Sequence, residues 1–290
     1  MSLGASLIKR DYTLVVDGIA STETKHRDSH AGERGKAVFS PPIPAYHDAM
    51  ETPSQILKVT VWRGGEAGDF ATYEVPLKAG QTVLDLLGRI QRELEPSLAY
   101  RYSCRAGVCG SCAMTVNGRP RWTCRTLVSE VEEQGNLEIA PLANLPVIKD
   151  LVTDMTPFFE KWQKAKGRFY PGDTEKDRFA RIRPDDPKRK AIDAAIECIG
   201  CGVCFSACDV VKWNDDYLGP AALNRAWSLT NDVRDGGQLE RLRAVAGSGG
   251  CRACHSQQSC AEHCPKGLNP TAAIAGLKRE IFKAALGGKL

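Results

Sequence analysis

The residue type with most chemistry to offer in this chain is cysteine. Twelve are present, none before Cys104, four between Cys104 and Cys124, and eight between Cys198 and Cys264. Cytosolic thiols are kept reduced, and no export segment is apparent, so metal binding is expected rather than disulfides. Cys104, Cys109, Cys112 and Cys124 follow the spacing C-x4-C-x2-C-x11-C, the plant-type ferredoxin arrangement for a two-iron, two-sulfide cluster. Thiolates are soft, strongly donating ligands suited to iron. The close spacing lets one loop wrap the cluster while Cys124 closes it from a neighbouring element. Gly107 and Gly110 permit unusual backbone angles and free amide N–H groups to point at the sulfides. Those donors, with Arg105, would raise the potential. A four-cysteine zinc site is the competing reading, disfavoured because zinc sites pair short C-x2-4-C elements.

Cys198, Cys201, Cys204 and Cys208 form C-x2-C-x2-C-x3-C, the bacterial ferredoxin run whose fourth cysteine serves a second cluster. The required second run appears as Cys254-x5-Cys260-x3-Cys264-Pro265, with Gln257 where its second cysteine would stand. Exchanging the fourth cysteines, as the template demands, gathers Cys198, Cys201, Cys204 and Cys264 around a four-iron cluster. Cys208, Cys254 and Cys260 remain for the other. Three thiolates without a fourth imply a three-iron, four-sulfide cluster, because an iron facing an amide is easily lost. Cys251, C-x2-C before Cys254, is either a fourth donor that would make the third centre a four-iron one or a free buried thiol; the completed register favours the thiol. Two four-cysteine zinc sites, with His255 and His263 as spare donors, also fit numerically.

The elements that must position these residues divide into two kinds. Residues 1–54 hold no cysteine, are rich in Ser, His, Gly and Pro, and read as an irregular arm. Alternation over Ile56–Arg63 predicts a strand, followed across a Gly-containing turn by a second over Ala71–Leu77. Thr82 is placed to cap a helix carrying Val83, Leu86, Leu87, Ile90 and Leu94, with Pro96 beyond its end. Short strands near Ala113–Val116 and Leu137–Ile139 complete a small mixed domain over residues 55–145. Pro141–Pro146 reads as a linker. Val147, Ile148, Leu151, Met155 and Phe158 then predict a helical pattern, and residues 190–197, 221–229 and 270–284 predict further helices with the cysteines in the loops between them. Residues 146–290 are therefore expected to be an all-α cluster holder, and the whole chain α+β. Residues 165–190, rich in Lys, Arg and Asp, read as a solvated face or loop.

Composition narrows the function by exclusion. Lys plus Arg number 39 against 35 Asp plus Glu, too even a balance to call for nucleic acid. No apolar run reaches the length of a membrane-spanning helix. The first fifty residues mix acids and bases, unlike an acid-poor mitochondrial transit peptide, so a bacterial cytoplasm is the expected setting.

With those residues laid out, the chain from about Ile56 to Leu277 resembles the iron-sulfur subunit of succinate dehydrogenase and fumarate reductase. Beyond the cysteines, the likeness rests on the stretches Arg101–Ser111, Leu145–Leu151 and Cys264–Pro270. It implies an N-terminal β-grasp, plant-type ferredoxin domain docked on a flavoprotein subunit. An all-α helical ferredoxin domain would follow, docked on one or two hydrophobic membrane-anchor subunits at the cytoplasmic face of a bacterial membrane. It implies electron flow from the FAD of the partner through the two-iron, four-iron and three-iron clusters to a quinone, or the reverse in a fumarate reductase. It also implies quinone contacts from Trp213 and His255, whose N–H groups can bind a carbonyl, with Lys212 and Lys266 as weaker candidates. Asp209 stands after Cys208 where the family has proline; helix capping is its expected role. An iron-sulfur subunit serving a soluble, heterodisulfide-reductase-like partner is the alternative.

Overall fold

A computed structural model describes residues 55–172 and 180–290. The expected N-terminal arm, and part of the charged stretch 165–190, lie outside the described residues.

Alternation along β1 (Ile56–Arg63) puts Leu57, Val59 and Val61 on one fully buried face, as the two-residue period of a half-buried strand requires. The chain turns into β2 (Asp69–Pro76) and then α1 (Val83–Glu93). Thr82 caps α1 through a reciprocal pair of hydrogen bonds with Asp85. Such a cap contributes about 1 kcal/mol, whereas each buried Leu86, Leu87 or Ile90 side chain contributes about 1.5–3 kcal/mol. Burial therefore decides that the helix lies on the sheet, and the cap decides where it starts. Leu94, expected on the apolar face, falls just past the helix end and is half exposed.

Next come β3 (Ala113–Val116), β4 (Arg119–Trp122), a short helix α2 (Val128–Val131) and β5 (Asn136–Ala140). The sheet order is β2-β1-β5-β3-β4, with β1 and β5 parallel and the other pairs antiparallel. Strand β4 was not expected, because Pro120 and its arginines break the apolar alternation. Proline is tolerated there because β4 is an edge strand, where a missing N–H costs no ladder bond.

The helical pattern expected from Val147 is overturned by a hairpin, β6 (Val147–Lys149) and β7 (Val152–Thr153). Its β-branched residues favour extended backbone, and Asp150 takes the left-handed turn position at φ 52°. The Asp150 carboxylate accepts the N–H groups of Gly64 (2.7 Å) and Ala99 (2.8 Å) and pairs with Arg63 at 3.2 Å. Leu151 accordingly packs in the core of the sheet region. Helix α3 (Thr156–Lys164) begins only where Pro157 suits its first turn.

Beyond it lie α4 (Pro187–Ile192), a 3-10 turn at Ala195–Glu197, α5 (Val203–Ser206), α6 (Asp209–Trp213) and α7 (Pro220–Thr230). The helix expected over 190–197 is thus split in two. Helix α8 (Gln238–Ala246), unforeseen, precedes α9 (Ser259–Glu262) and α10 (Pro270–Leu286). Almost every residue of α7 is buried, and α10 crosses it so closely that a Cβ at Gly276 would come 2.6 Å from the Trp227 ring.

The segment after α3, expected as a solvated loop, is tied down at its start. Arg241 and Asp235 form a fully buried, two-pronged ion pair at 2.9 Å, and Arg241 also donates to the carbonyls of Lys166 and Arg168. One core belongs to the sheet and α1; a second runs without a break from Cys112, Trp122 and Cys124 through Phe158 and Phe205 to Leu223 and Leu277.

Candidate metal centres

The loop from Cys104 to Cys112 closes on itself through left-handed positions at Arg105, Gly107 and Gly110 (φ 54°, 70° and 74°). That curvature turns the N–H groups of Ala106, Val108 and Cys109 onto Cys104 Sγ at 3.4, 3.3 and 3.2 Å. Cys109 Sγ accepts from the Cys104 N–H (3.4 Å) and the Ser111 hydroxyl (3.1 Å). The Ser111 donor, with these backbone N–H groups, draws the Cys109 thiol down to about 6. Cys104 and Cys109 are exposed; Cys112 and Cys124 are buried, Cys124 entering from the 3-10 turn Thr123–Arg125 after β4. Burial and the neighbouring Cys112 push the Cys124 thiol up to about 11. The Arg105 guanidinium sits over the Tyr102 ring at 4.9 Å.

In the helical half, Cys198, Cys201, Cys204 and Cys264 line one hollow; Cys208, Cys254 and Cys260 line another together with Tyr217, His255 and Gln257. Burial raises the thiols of Cys198, Cys201, Cys204, Cys208 and Cys260, most of all Cys204, which lies beside Cys201, Cys198, Cys260 and Cys264. The two hollows are therefore neighbours. Cys251 lines neither. It is 1% exposed in the core behind Cys254, and burial pushes its thiol up to about 12.

Buried thiols whose ionisation is opposed by burial need a cationic partner to become ligands. Among the described residues, no three His, Cys, Asp or Glu side chains converge closely enough to hold a single ion. An all-thiolate donor set, partly or fully withdrawn from water in each group, is the chemistry an iron-sulfur cluster calls for.

Two family models match the chain: a 2Fe-2S iron-sulfur cluster binding domain over residues 56–160 and a 4Fe-4S dicluster domain over residues 197–269. The chain is 39% identical over 216 residues to the succinate dehydrogenase iron-sulfur subunit of Paracoccus denitrificans, a match covering 74% of this chain and 82% of that one. It is 35% identical over 225 residues to the fumarate reductase iron-sulfur subunit of Haemophilus influenzae, covering 73% of this chain and 86% of the relative. The chain belongs to the family of succinate dehydrogenase and fumarate reductase iron-sulfur subunits. A chain of the Mycobacterium smegmatis Sdh1 complex in the apo form superposes with a TM-score of 0.72 at 30% identity, covering 79% of this chain and 97% of that chain.

Of the four residues singled out for a quinone, His255 alone lines the third hollow. His255 is exposed and lines the hollow with Cys208, Cys254 and Cys260. Trp213, at the end of α6, is 70% exposed and does not line it. Lys212 is exposed, and Lys266 pairs with Glu197 at 3.3 Å. Asp209 does not cap α6: the N-cap residue is Cys208, no side chain makes a capping bond, and Asp209 sits one position later in the first turn. Its charge there still favours the positive helix end.

Several neighbours of the thiols had no signal in the sequence. Tyr217, 1% exposed, lines the third hollow, and Thr271 Oγ1 lies 3.3 Å from Cys260 Sγ. Asn144, at φ 63° in the linker, donates its amide to the carbonyls of Phe205 and Ser206 at 3.1 Å and of Cys208 at 3.3 Å, tying the linker to the cysteine run. Single polar residues far from their partners in sequence leave no periodic trace. Ser111, in contrast, was legible in principle, because it lies between two spaced cysteines.

Proposed function

We propose that this iron-sulfur subunit relays electrons between the FAD of a flavoprotein partner and a quinone bound at a hydrophobic membrane-anchor subunit. Its three cysteine groups would hold the relay. Cys104, Cys109, Cys112 and Cys124 hold a two-iron cluster in a β-grasp domain; Cys198, Cys201, Cys204 and Cys264 a four-iron cluster in a helical ferredoxin domain; Cys208, Cys254 and Cys260 a three-iron cluster beside it. Bound there, the clusters supply reversible one-electron storage, and the protein supplies spacing, water exclusion and hydrogen bonds.

The observation that carries the reading is that the three groups are consecutive in space. Gly110 of the first loop lies so close to Cys201 of the second that a Cβ on Gly110 would stand 2.6 Å from Cys201 Cβ. Cys204 of the second group lies beside Cys260 of the third. The outer end of that series carries the exposed Trp213 and His255, both able to donate to a quinone carbonyl. Among the described residues no helix is long and apolar enough to cross a membrane, and the anchor subunit would supply that function. The series works in either direction; oxidation of succinate or reduction of fumarate follows from the cluster potentials and the quinone.

The test uses the complex purified with its flavoprotein and anchor. Trp213→Leu and His255→Leu are each expected to lower succinate-dependent quinone reduction about five- to tenfold, the scale of about 1 kcal/mol for one lost hydrogen bond, while succinate-dependent dye reduction persists. Equal loss of both activities would overturn the assignment of these residues to the quinone end.

A further inference from the structure

Trp122 ends β4, two residues before Cys124, and is 6% exposed. Its indole N–H is fully enclosed yet makes no hydrogen bond within the protein. Three other tryptophans find backbone carbonyls: Trp227 donates to Ala191 at 2.9 Å, Trp62 to Gly65 at 3.2 Å and Trp162 to Gly167 at 3.3 Å. Leaving such a donor unsatisfied costs about 1–3 kcal/mol, and native structures rarely do so. The polar atom it faces is sulfur: the indole N–H is directed at the Cys201 thiol, which the Val203 backbone N–H also reaches, without closing a full hydrogen bond to it. The same ring lies against the first cysteine loop, where a Cβ at Gly107 would stand 3.3 Å from Trp122 Cε3. One indole thus bridges the loop of the first group and a ligand of the second, at the place where β4 packs on α5.

We infer that Trp122 is a positioning residue for the four-iron centre, its indole N–H donating to the Cys201 thiolate while its ring seals the seam between the first two clusters. This rests on the cluster assignment proposed above. A hydrogen bond to a ligand sulfur stabilises the more negative, reduced cluster and so raises its potential. The Cys198 thiol is reached by the Gly200 backbone N–H and the Cys201 thiol by that of Val203, so the indole adds a side-chain donor to backbone ones.

Trp122→Phe keeps the ring and removes the donor. Redox titration of the intact complex, followed by electron paramagnetic resonance, is expected to show the one-electron equilibrium of the four-iron centre shifted about tenfold toward the oxidised form. That shift is about 59 mV downward, with the two-iron centre unmoved. In the unsubstituted complex grown with 15N-indole tryptophan, the reduced four-iron signal should carry a hyperfine coupling to one indole nitrogen. An unchanged four-iron potential in a variant with full iron content would overturn the inference. Should Trp122→Phe fail to retain its clusters, the 15N coupling decides: its presence supports the donor and its absence overturns it. If the unsubstituted protein contains zinc or lacks a four-iron signal, the cluster assignment itself has failed and the inference falls with it, an outcome that iron analysis separates from the others.

Discussion

The first cysteine loop and the two helical hollows hold the same candidate ligand atom, a cysteine sulfur, in different surroundings. Cys104 and Cys109 are open to solvent and ringed by N–H and O–H donors, whereas the thiols of the helical half are partly or fully buried, and at Cys198, Cys201, Cys208 and Cys260 burial outweighs the donors that reach them. In the loop, the Ser111 hydroxyl and backbone N–H groups favour the Cys109 thiolate, drawing that thiol down to about 6. In the hollows burial opposes ionisation, and the charge that offsets it must come from the metal. The contrast extends to the cores. That of the sheet and α1 contains no cysteine, whereas the helical core includes Cys112, Cys124 and Cys251 and packs against Cys201, Cys204, Cys208 and Cys254. Iron should therefore be a local addition to the sheet and a structural member of the helical half.

The strongest way to break this contrast is to remove the metal. Chelation under reducing conditions is expected to abolish hydrogen-exchange protection across residues 198–264 while β1, β5 and α1 stay protected, because structural metal sites contribute folding energy outright. Uniform loss, or uniform retention, measured by mass spectrometry would show that the halves do not differ.

Next in size is the comparison of Cys260→Ser with Cys251→Ser. The first should eliminate the three-iron signal and leave the two-iron signal; the second should leave all three centres intact, since Cys251 lines neither hollow.

Within the sheet, Asp150→Ala leaves the N–H groups of Gly64 and Ala99 without their acceptor and takes one of the partners of Arg63, which keeps Glu95, Tyr73 and Ser97, at an expected cost of about 2–3 kcal/mol from the unpaired donors. Denaturant unfolding measures it. Burial opposes the Asp150 charge, but the Gly64 and Ala99 N–H groups and Arg63 outweigh it and hold the carboxyl below its ordinary range. Its contribution is thus present above the unfolded value near 3.9 and lost as pH falls through the lower folded value. The difference between the native protein and the variant should shrink in acid and persist at neutral pH.

The smallest effect is expected from Ser111→Ala, which removes one donor of several at Cys109. The two-iron potential should fall by a few tens of millivolts, on the scale of about 1 kcal/mol for one hydrogen bond, with the four-iron potential unchanged. A shift in the four-iron centre instead would mean the two environments are coupled.

The same contrast explains what could be read from sequence. Periodic burial announces itself, so β1 and α1 appeared in the alternation of Leu57, Val59 and Val61 and in the spacing of Leu86, Leu87 and Ile90. Cysteine spacing within one loop marks candidate ligands, and the set proposed by exchanging the fourth cysteines, Cys198, Cys201, Cys204 and Cys264, lines a single hollow. Features made by long-range contact were not legible. Strand β4 is held by its edge position despite Pro120, and the hairpin at Val147–Thr153 is fixed by what Asp150 binds across the sheet. Trp122 matters through Cys201, a partner that neither propensity nor spacing could name.

The partition of eleven of the twelve cysteines into sets of four, four and three is the claim beneath all of this. Iron and sulfide analysis of the intact subunit, read with its electron paramagnetic resonance in both oxidation states, tests it most directly. The expected result is about nine irons per chain, with a three-iron signal when oxidised and a two-iron signal when reduced. Zinc in place of iron, or a third centre that never gives the oxidised signal and disappears with Cys251→Ser, would contradict it.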